Sequence, residues 1–252
     1  MSIRKNVIVT GASSGIGRAT AIRFAQEGCN VCVTARREKE LRTLADSLPA
    51  GNHLVCPGDY SDPATADAIR DAARSAWGHI DVLVNCAGIF RGAHAVESPM
   101  DEWRGPFDIM TQGAIHMTRM VVPLMPAGGR IVHVTSIHGD RGEVNASSYS
   151  MAKAAINQYC RVLAIELAPR GILVNAIAPG FVDTPMSITN GVNELETPWF
   201  RQNYVEGHHL PLRRGQIGQC PAYGVTRVGL SRAVGLALLG ERVAGLLAPP
   251  PA

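Results

Sequence analysis

Tyr149 and Lys153 stand four residues apart in Tyr149-Ser150-Met151-Ala152-Lys153. On a helix, positions i and i+4 share a face, so this spacing puts an ammonium beside a phenol. A phenol of ordinary pKa, about 10, carries protons poorly at neutral pH, and a neighbouring cation favours the phenolate. The pair therefore reads as a general acid/base for an alcohol and its carbonyl. Ser136 lies thirteen residues upstream, just past a β-branched run. Its hydroxyl can hydrogen-bond a substrate oxygen as charge develops there.

A second group of residues points to a phosphate-bearing ligand. Thr10-Gly11-Ala12-Ser13-Ser14-Gly15-Ile16-Gly17 follows the apolar run Asn6-Val7-Ile8-Val9-Thr10. A glycine at a strand end permits a tight turn, and the later ones let backbone approach a diphosphate at a helix N-terminus. The spacing is GxxxGxG rather than the commoner GxGxxG, and strand and helix flank it as a dinucleotide site requires. About twenty residues on, an acid grips the ribose 2′-hydroxyl of NAD, whereas arginine accommodates a 2′-phosphate. Here the chain reads Thr34-Ala35-Arg36-Arg37, with no acid until Glu38. Guanidinium binds phosphate bidentately, so these residues favour NADP(H) over NAD(H).

The elements that must position these groups recur as βα units. Strand patterns occur at 6–10, 31–35, 53–56, 80–85, 130–135 and 172–177. Between them lie an apolar helix to about Ala25, a charged helix over 37–47, and a helix opened by Asp62-Pro63. A long helical region follows the fourth strand, and a further helix spans 149–168. Continuous apolar strands with helical crossovers predict a parallel sheet covered on both faces. Right-handed crossovers make it a doubly wound, Rossmann-like α/β domain, single over 1–252.

Composition narrows the function. The 252 residues are 46% hydrophobic and 18% charged, material for a large core and not for a disordered chain. No apolar run is long enough to span a bilayer, and no signal peptide precedes the first strand, so a cytoplasmic protein without a membrane role is expected. Net charge is +3, but residues 207–252 hold five arginines and one acid, or +4, leaving −1 for the rest. A body of that charge is not a nucleic-acid surface. Cys29 and Cys32 form a CxxC, yet Cys32 falls within a strand and no second pair has zinc spacing; buried reduced thiols are expected, and no metal.

In these residues the chain resembles the short-chain dehydrogenase/reductase family. The matches are Thr10 to Gly17, Asp59, Asn85-Cys86-Ala87-Gly88, Ser136, Tyr149 to Lys153 and Pro179-Gly180, in the family's order, within residues 5 to about 214. The resemblance implies NAD(P)-dependent interconversion of secondary alcohols and ketones, with hydride transfer on the pro-S side. It makes Tyr149 the acid/base, with Lys153 holding the nicotinamide ribose and depressing the tyrosine pKa, and Ser136 orienting the substrate oxygen. It also places Gly11, Ser13, Ser14, Gly15, Ile16, Gly17, Arg36, Arg37, Asp59 and Tyr60 on the cofactor. Asn85, Ala87 and Gly88 fall at the inner ribose, and Pro179, Gly180, Val182 and Thr184 at the nicotinamide. A small carbonyl or alcohol substrate and a homotetramer are implied as well.

Two departures stand out. The family pattern D-V-N-x-x-G aligns with Asp108-Ile109-Met110-Thr111-Gln112-Gly113, which puts Met110 where an asparagine joins a proton relay to the lysine. A thioether has no donor, so that relay cannot be built in the usual way. Beyond Pro211-Leu212-Arg213-Arg214, residues 215–252 lack the family's acidic helix start and its Asp-Gly-Gly ending. An Arg/Gly/Pro-rich ending of this kind fits either a shifted reading frame in GC-rich DNA or true divergence, and it predicts a weakened tetramer. With Met110, it admits a second class of function, a catalytically weak dinucleotide-binding sensor. Residues 183–210, with Trp199, Phe200, Tyr204 and His208, read as a substrate lid suited to a polar carbonyl or polyol. His133 reads as structural, and His138 lies near the expected substrate.

Overall fold

The computed structural model describes residues 4–189 and 191–206. Expectations for Pro211 to Arg214, the closing strand at 243–247, the lid beyond 206 and the ending at 215–252 fall outside those residues.

Six strands form one parallel sheet in the order β3-β2-β1-β4-β5-β6. They are β1 (Asn6–Thr10), β2 (Asn30–Thr34), β3 (Leu54–Val55), β4 (Val82–Asn85), β5 (Arg130–Val134) and β6 (Leu173–Ile177). Every residue of β1 is buried, as a central strand covered on both faces requires. Its side chains alternate between two cores. Ile8, Leu83 and Ile131 face α3 (Pro63–Trp77), α5 (Gly113–Val121) and α6 (Ser147–Leu167), meeting Ile69, Met117 and Ile156. Val7, Val9, Val31 and Val33 face α1 (Gly15–Gln26) and α2 (Glu38–Ser47), meeting Phe24, Leu41 and Leu44.

The expected doubly wound sheet is present, and its departures from expectation have local causes. β3 is shortened to two residues at the sheet edge, pairing with β2 as Cys32 with Leu54 and Val33 with Val55. Asp62 does cap α3, its carboxylate accepting from Ala64 N at 2.9 Å with Pro63 in the first turn. The long helical region is not one helix. It divides into α4 (Met100–Pro106), a π-helical turn over Phe107–Gln112, and α5. Pro106, which lacks an N–H, sits at the break.

Candidate active site

Strand order reverses between β1 and β4, and ligands of such sheets bind beyond the carboxyl ends at that point. A cleft of about 390 Å³ opens there. Its floor is glycine by necessity. A Cβ on Gly11 (φ +68°) would lie 2.8 Å from Ala87 Cα, and one on Gly17 would lie 2.3 Å from the Gly11 carbonyl oxygen. Thr10 Oγ1 accepts from the backbone N–H groups of Cys86 and Ala87, each at 3.0 Å, which ties the two strand ends together.

The N-terminus of α1 has no side-chain cap and no acid in its first turn. Instead Arg37 Nη2 donates to Ser13 Oγ at 2.9 Å and Ser14 Oγ at 2.8 Å, holding a guanidinium over the glycine turn. Uncapped N–H groups with an arginine beside them suit an anion. Arg36 lines the same end, near Asp59, whose carboxyl is held down by hydrogen bonds from Ser61 and, to a lesser degree, by Arg36. These residues fit a dinucleotide diphosphate with an additional phosphate on its adenosine side.

Ser13 to Gly17, Asp59, Ala87, Gly88, Pro179, Gly180, Val182 and Thr184 line the cleft together. Asn85 does not join them. Its amide turns inward, Oδ1 accepting from Tyr60 Oη at 2.5 Å and Nδ2 lying 3.3 Å from both Thr118 Oγ1 and His133 Nδ1. The resemblance put Asn85 at the ribose; the buried groups around it take both of its N–H donors and one of its two acceptor sites. The Tyr60 phenol is committed inward by the same bond, although the residue reaches the cleft wall.

At the other end, Ser136, Tyr149 and Lys153 converge, all less than 10% exposed. Ser136 stands close enough to Tyr149 for its hydroxyl to favour the phenolate. Lys153 Nζ donates to the Val134 carbonyl at 2.8 Å and lies 5.6 Å from the Tyr149 ring centre. Burial depresses the ammonium to about 8. The Tyr149 phenol is raised, not lowered as expected: burial dominates, Glu143 and Cys86 add to it, and only the Ser136 hydroxyl opposes.

A family model described as short chain dehydrogenase matches residues 5–194. The chain belongs to the short-chain dehydrogenase family. Among its relatives is a 3-oxoacyl-acyl-carrier-protein reductase of Thermotoga maritima, 37% identical over 188 residues, 73% of this chain and 76% of that one. The short-chain reductase protein NovJ of Streptomyces niveus is 42% identical over 185 residues, covering 71% and 70%. The L-sorbose reductase of Gluconobacter frateurii, solved with NADPH and L-sorbose, superposes with a TM-score of 0.70 at 32% identity, covering 73% and 72%. This short-chain dehydrogenase is accordingly an oxidoreductase with a parallel α/β fold.

Of the other residues around the cleft, Met110, His133 and His138 stood out in the sequence, whereas Phe90, Glu143 and Phe181 did not. Met110 is 3% exposed within the π turn, and a Cβ on Gly88 would lie 3.3 Å from its sulfur and 3.7 Å from Lys153 Nζ. His133 is buried and structural, 5.8 Å from the Tyr159 ring and depressed to about 4 by burial and then by Lys153. His138 lines the cleft, as do Phe90, Glu143 and Phe181. Phe181 directly follows Pro179-Gly180, a usable signal; Glu143 lies in an irregular loop that gives none. Of the lid, Phe200 is buried and Tyr204 Oη donates to Glu143. Cys29 and Cys32 are buried free thiols, and no metal-binding group occurs among the described residues. No helix there is long and apolar enough to cross a membrane.

Proposed function

We propose that this short-chain dehydrogenase is an NADP(H)-dependent oxidoreductase interconverting a secondary alcohol and a ketone, with Ser136, Tyr149 and Lys153 as its catalytic residues. One observation carries the reading: a single cleft holds the buried serine, tyrosine and lysine at one end and the two arginines at the other. The solved relative that carries NADPH supports the phosphorylated cofactor.

A bound nicotinamide dinucleotide supplies or accepts the hydride. Tyr149 Oη gives a proton to the carbonyl oxygen as reduction makes it an alkoxide, and takes it back in oxidation. Ser136 Oγ, beside the phenol, donates a hydrogen bond to that oxygen and fixes it. Lys153, near 8, is protonated for the most part at neutral pH and supplies positive charge beside the phenol in a desolvated site.

Two variants test this. Tyr149→Phe abolishes turnover on a broad carbonyl and alcohol panel while NADPH titration stays within a few-fold of wild type; activity above about a tenth removes the tyrosine from its role. Arg36→Asp weakens NADPH binding by about tenfold or more and shifts preference to NADH, since a carboxylate repels the 2′-phosphate. Equal affinities of the parent protein for the two cofactors overturn the NADP(H) assignment. Tight NADPH binding with no turnover on the panel selects the sensor reading.

A further inference from the structure

The substrate end of the cleft holds polar groups that the serine, tyrosine and lysine do not use. The side chains of His138 and Glu143 are only 7% and 8% exposed, yet both line the cleft. Glu143 Oε2 lies 2.8 Å from His138 Nδ1, at an angle too oblique for an aligned hydrogen bond. Its other oxygen accepts from Tyr204 Oη. The His138 ring meets Tyr149 edge-on at 6.2 Å between centres and Phe181 at 5.6 Å, and its backbone N–H donates to Ser136 Oγ at 3.2 Å. The imidazole is thus fixed on three sides, directly beside the reacting position.

A carboxylate at Nδ1 draws the ring proton to that nitrogen and leaves Nε2 to face a ligand. A substrate hydroxyl suits Nε2 in either protonation state, because it both donates and accepts. A ketone or ether oxygen cannot satisfy an accepting Nε2, and a methylene satisfies neither form. Charge narrows the class further. Glu143 and Glu194 both lie at this end, whereas the cations among the described lining residues are Arg36 and Arg37 at the far end and Lys153 beside the phenol. Carboxylate or phosphate on the substrate would meet two acids there, and no guanidinium among the described lining residues. Phe90 and Phe181 offer apolar faces to its carbon skeleton.

We infer that His138, oriented by Glu143, is a specificity-determining residue that binds a hydroxyl adjacent to the reacting carbonyl, so the substrate is an uncharged hydroxyketone or the matching vicinal diol. The inference rests on the alcohol/ketone reading above and names the substrate class for that same site.

Hydroxyacetone and butanone are matched in size, pyruvate is slightly larger, and the three differ only beside the carbonyl. With the full chain and NADPH, hydroxyacetone is expected to exceed butanone in kcat/KM by about tenfold or more, with pyruvate poorest. His138→Phe lowers kcat/KM for hydroxyacetone at least tenfold more than for butanone, chiefly through KM. His138→Asn keeps a donor for Glu143 but is too short to reach the substrate, and it must collapse the preference in the same way. NADPH binding by each variant reports that it is folded. Equal wild-type kcat/KM for hydroxyacetone and butanone, or a preference unaltered in both folded variants, overturns the inference and leaves the reductase reading standing. No NADPH oxidation with any ketone overturns both.

Discussion

Met110 shows what one residue can change in an otherwise complete site. It packs with Tyr149 and Ala152, its sulfur close to Gly88 on the side where Lys153 Nζ also lies. A thioether there neither donates nor accepts well, so Lys153 is left with the Val134 carbonyl as its hydrogen-bond partner and its ammonium is depressed by burial. An amide at 110 would add an acceptor beside the ammonium and a donor for a bridging water. Met110→Asn is therefore expected to raise kcat severalfold and to raise the pKa of Lys153, with a cost of about 1–2 kcal/mol in stability for burying the amide. Steady-state kinetics across pH checks this; an unchanged kcat means that proton supply does not limit the enzyme. At this scale the sequence was legible where spacing encodes geometry, as for Tyr149 and Lys153. It was not legible where an environment decides, as for Asn85, turned from the cleft by Tyr60, Thr118 and His133.

Among the elements, the turn from β1 into α1 is the least tolerant. Gly17 lies within the first turn of α1, against the carbonyl of Gly11, and an added methyl would stand 2.3 Å from that oxygen. The obstacle is backbone, so relief requires moving the turn proposed to face the diphosphate. Gly17→Ala is expected to weaken NADPH binding by more than tenfold and to cost about 2–3 kcal/mol in stability, as overpacking a tight contact does. Calorimetric titration and urea unfolding measure the two effects; near-wild-type binding would place the diphosphate elsewhere. The motif was readable from the sequence because glycine spacing is a direct record of close backbone approach. The π turn over 107–112 was not, since its apolar residues continue a helical pattern and Pro106 alone marks the break. Strand centres were legible from β-branched runs, whereas the length of β3 depended on a partner only the sheet supplies.

For the whole molecule, acid stability should be governed in part by His133. Its ring is fully buried in β5 between the Asn85 amide and Tyr159, with Lys153 adding repulsion, and burial holds it near 4. In the unfolded chain the same imidazole takes up a proton at about 6.5. Between those two values the unfolded state binds more protons than the native one, so stability falls as pH is lowered from about 6.5 to about 4. The contribution is fully present above 6.5 and amounts to about 3 kcal/mol across the window, a sizeable part of the 5–15 kcal/mol typical of a domain. His133→Asn removes the titrating ring while keeping a polar partner for Asn85, and it should flatten the slope of unfolding free energy against pH in that interval. It also leaves a cavity, so its stability at pH 7 is lower than that of the parent. Urea unfolding at several pH values between 4 and 7 distinguishes the two effects: the cavity shifts every point equally, the lost proton uptake changes the slope. A variant whose slope matches the parent's would move the acid sensitivity from His133 to the carboxylates.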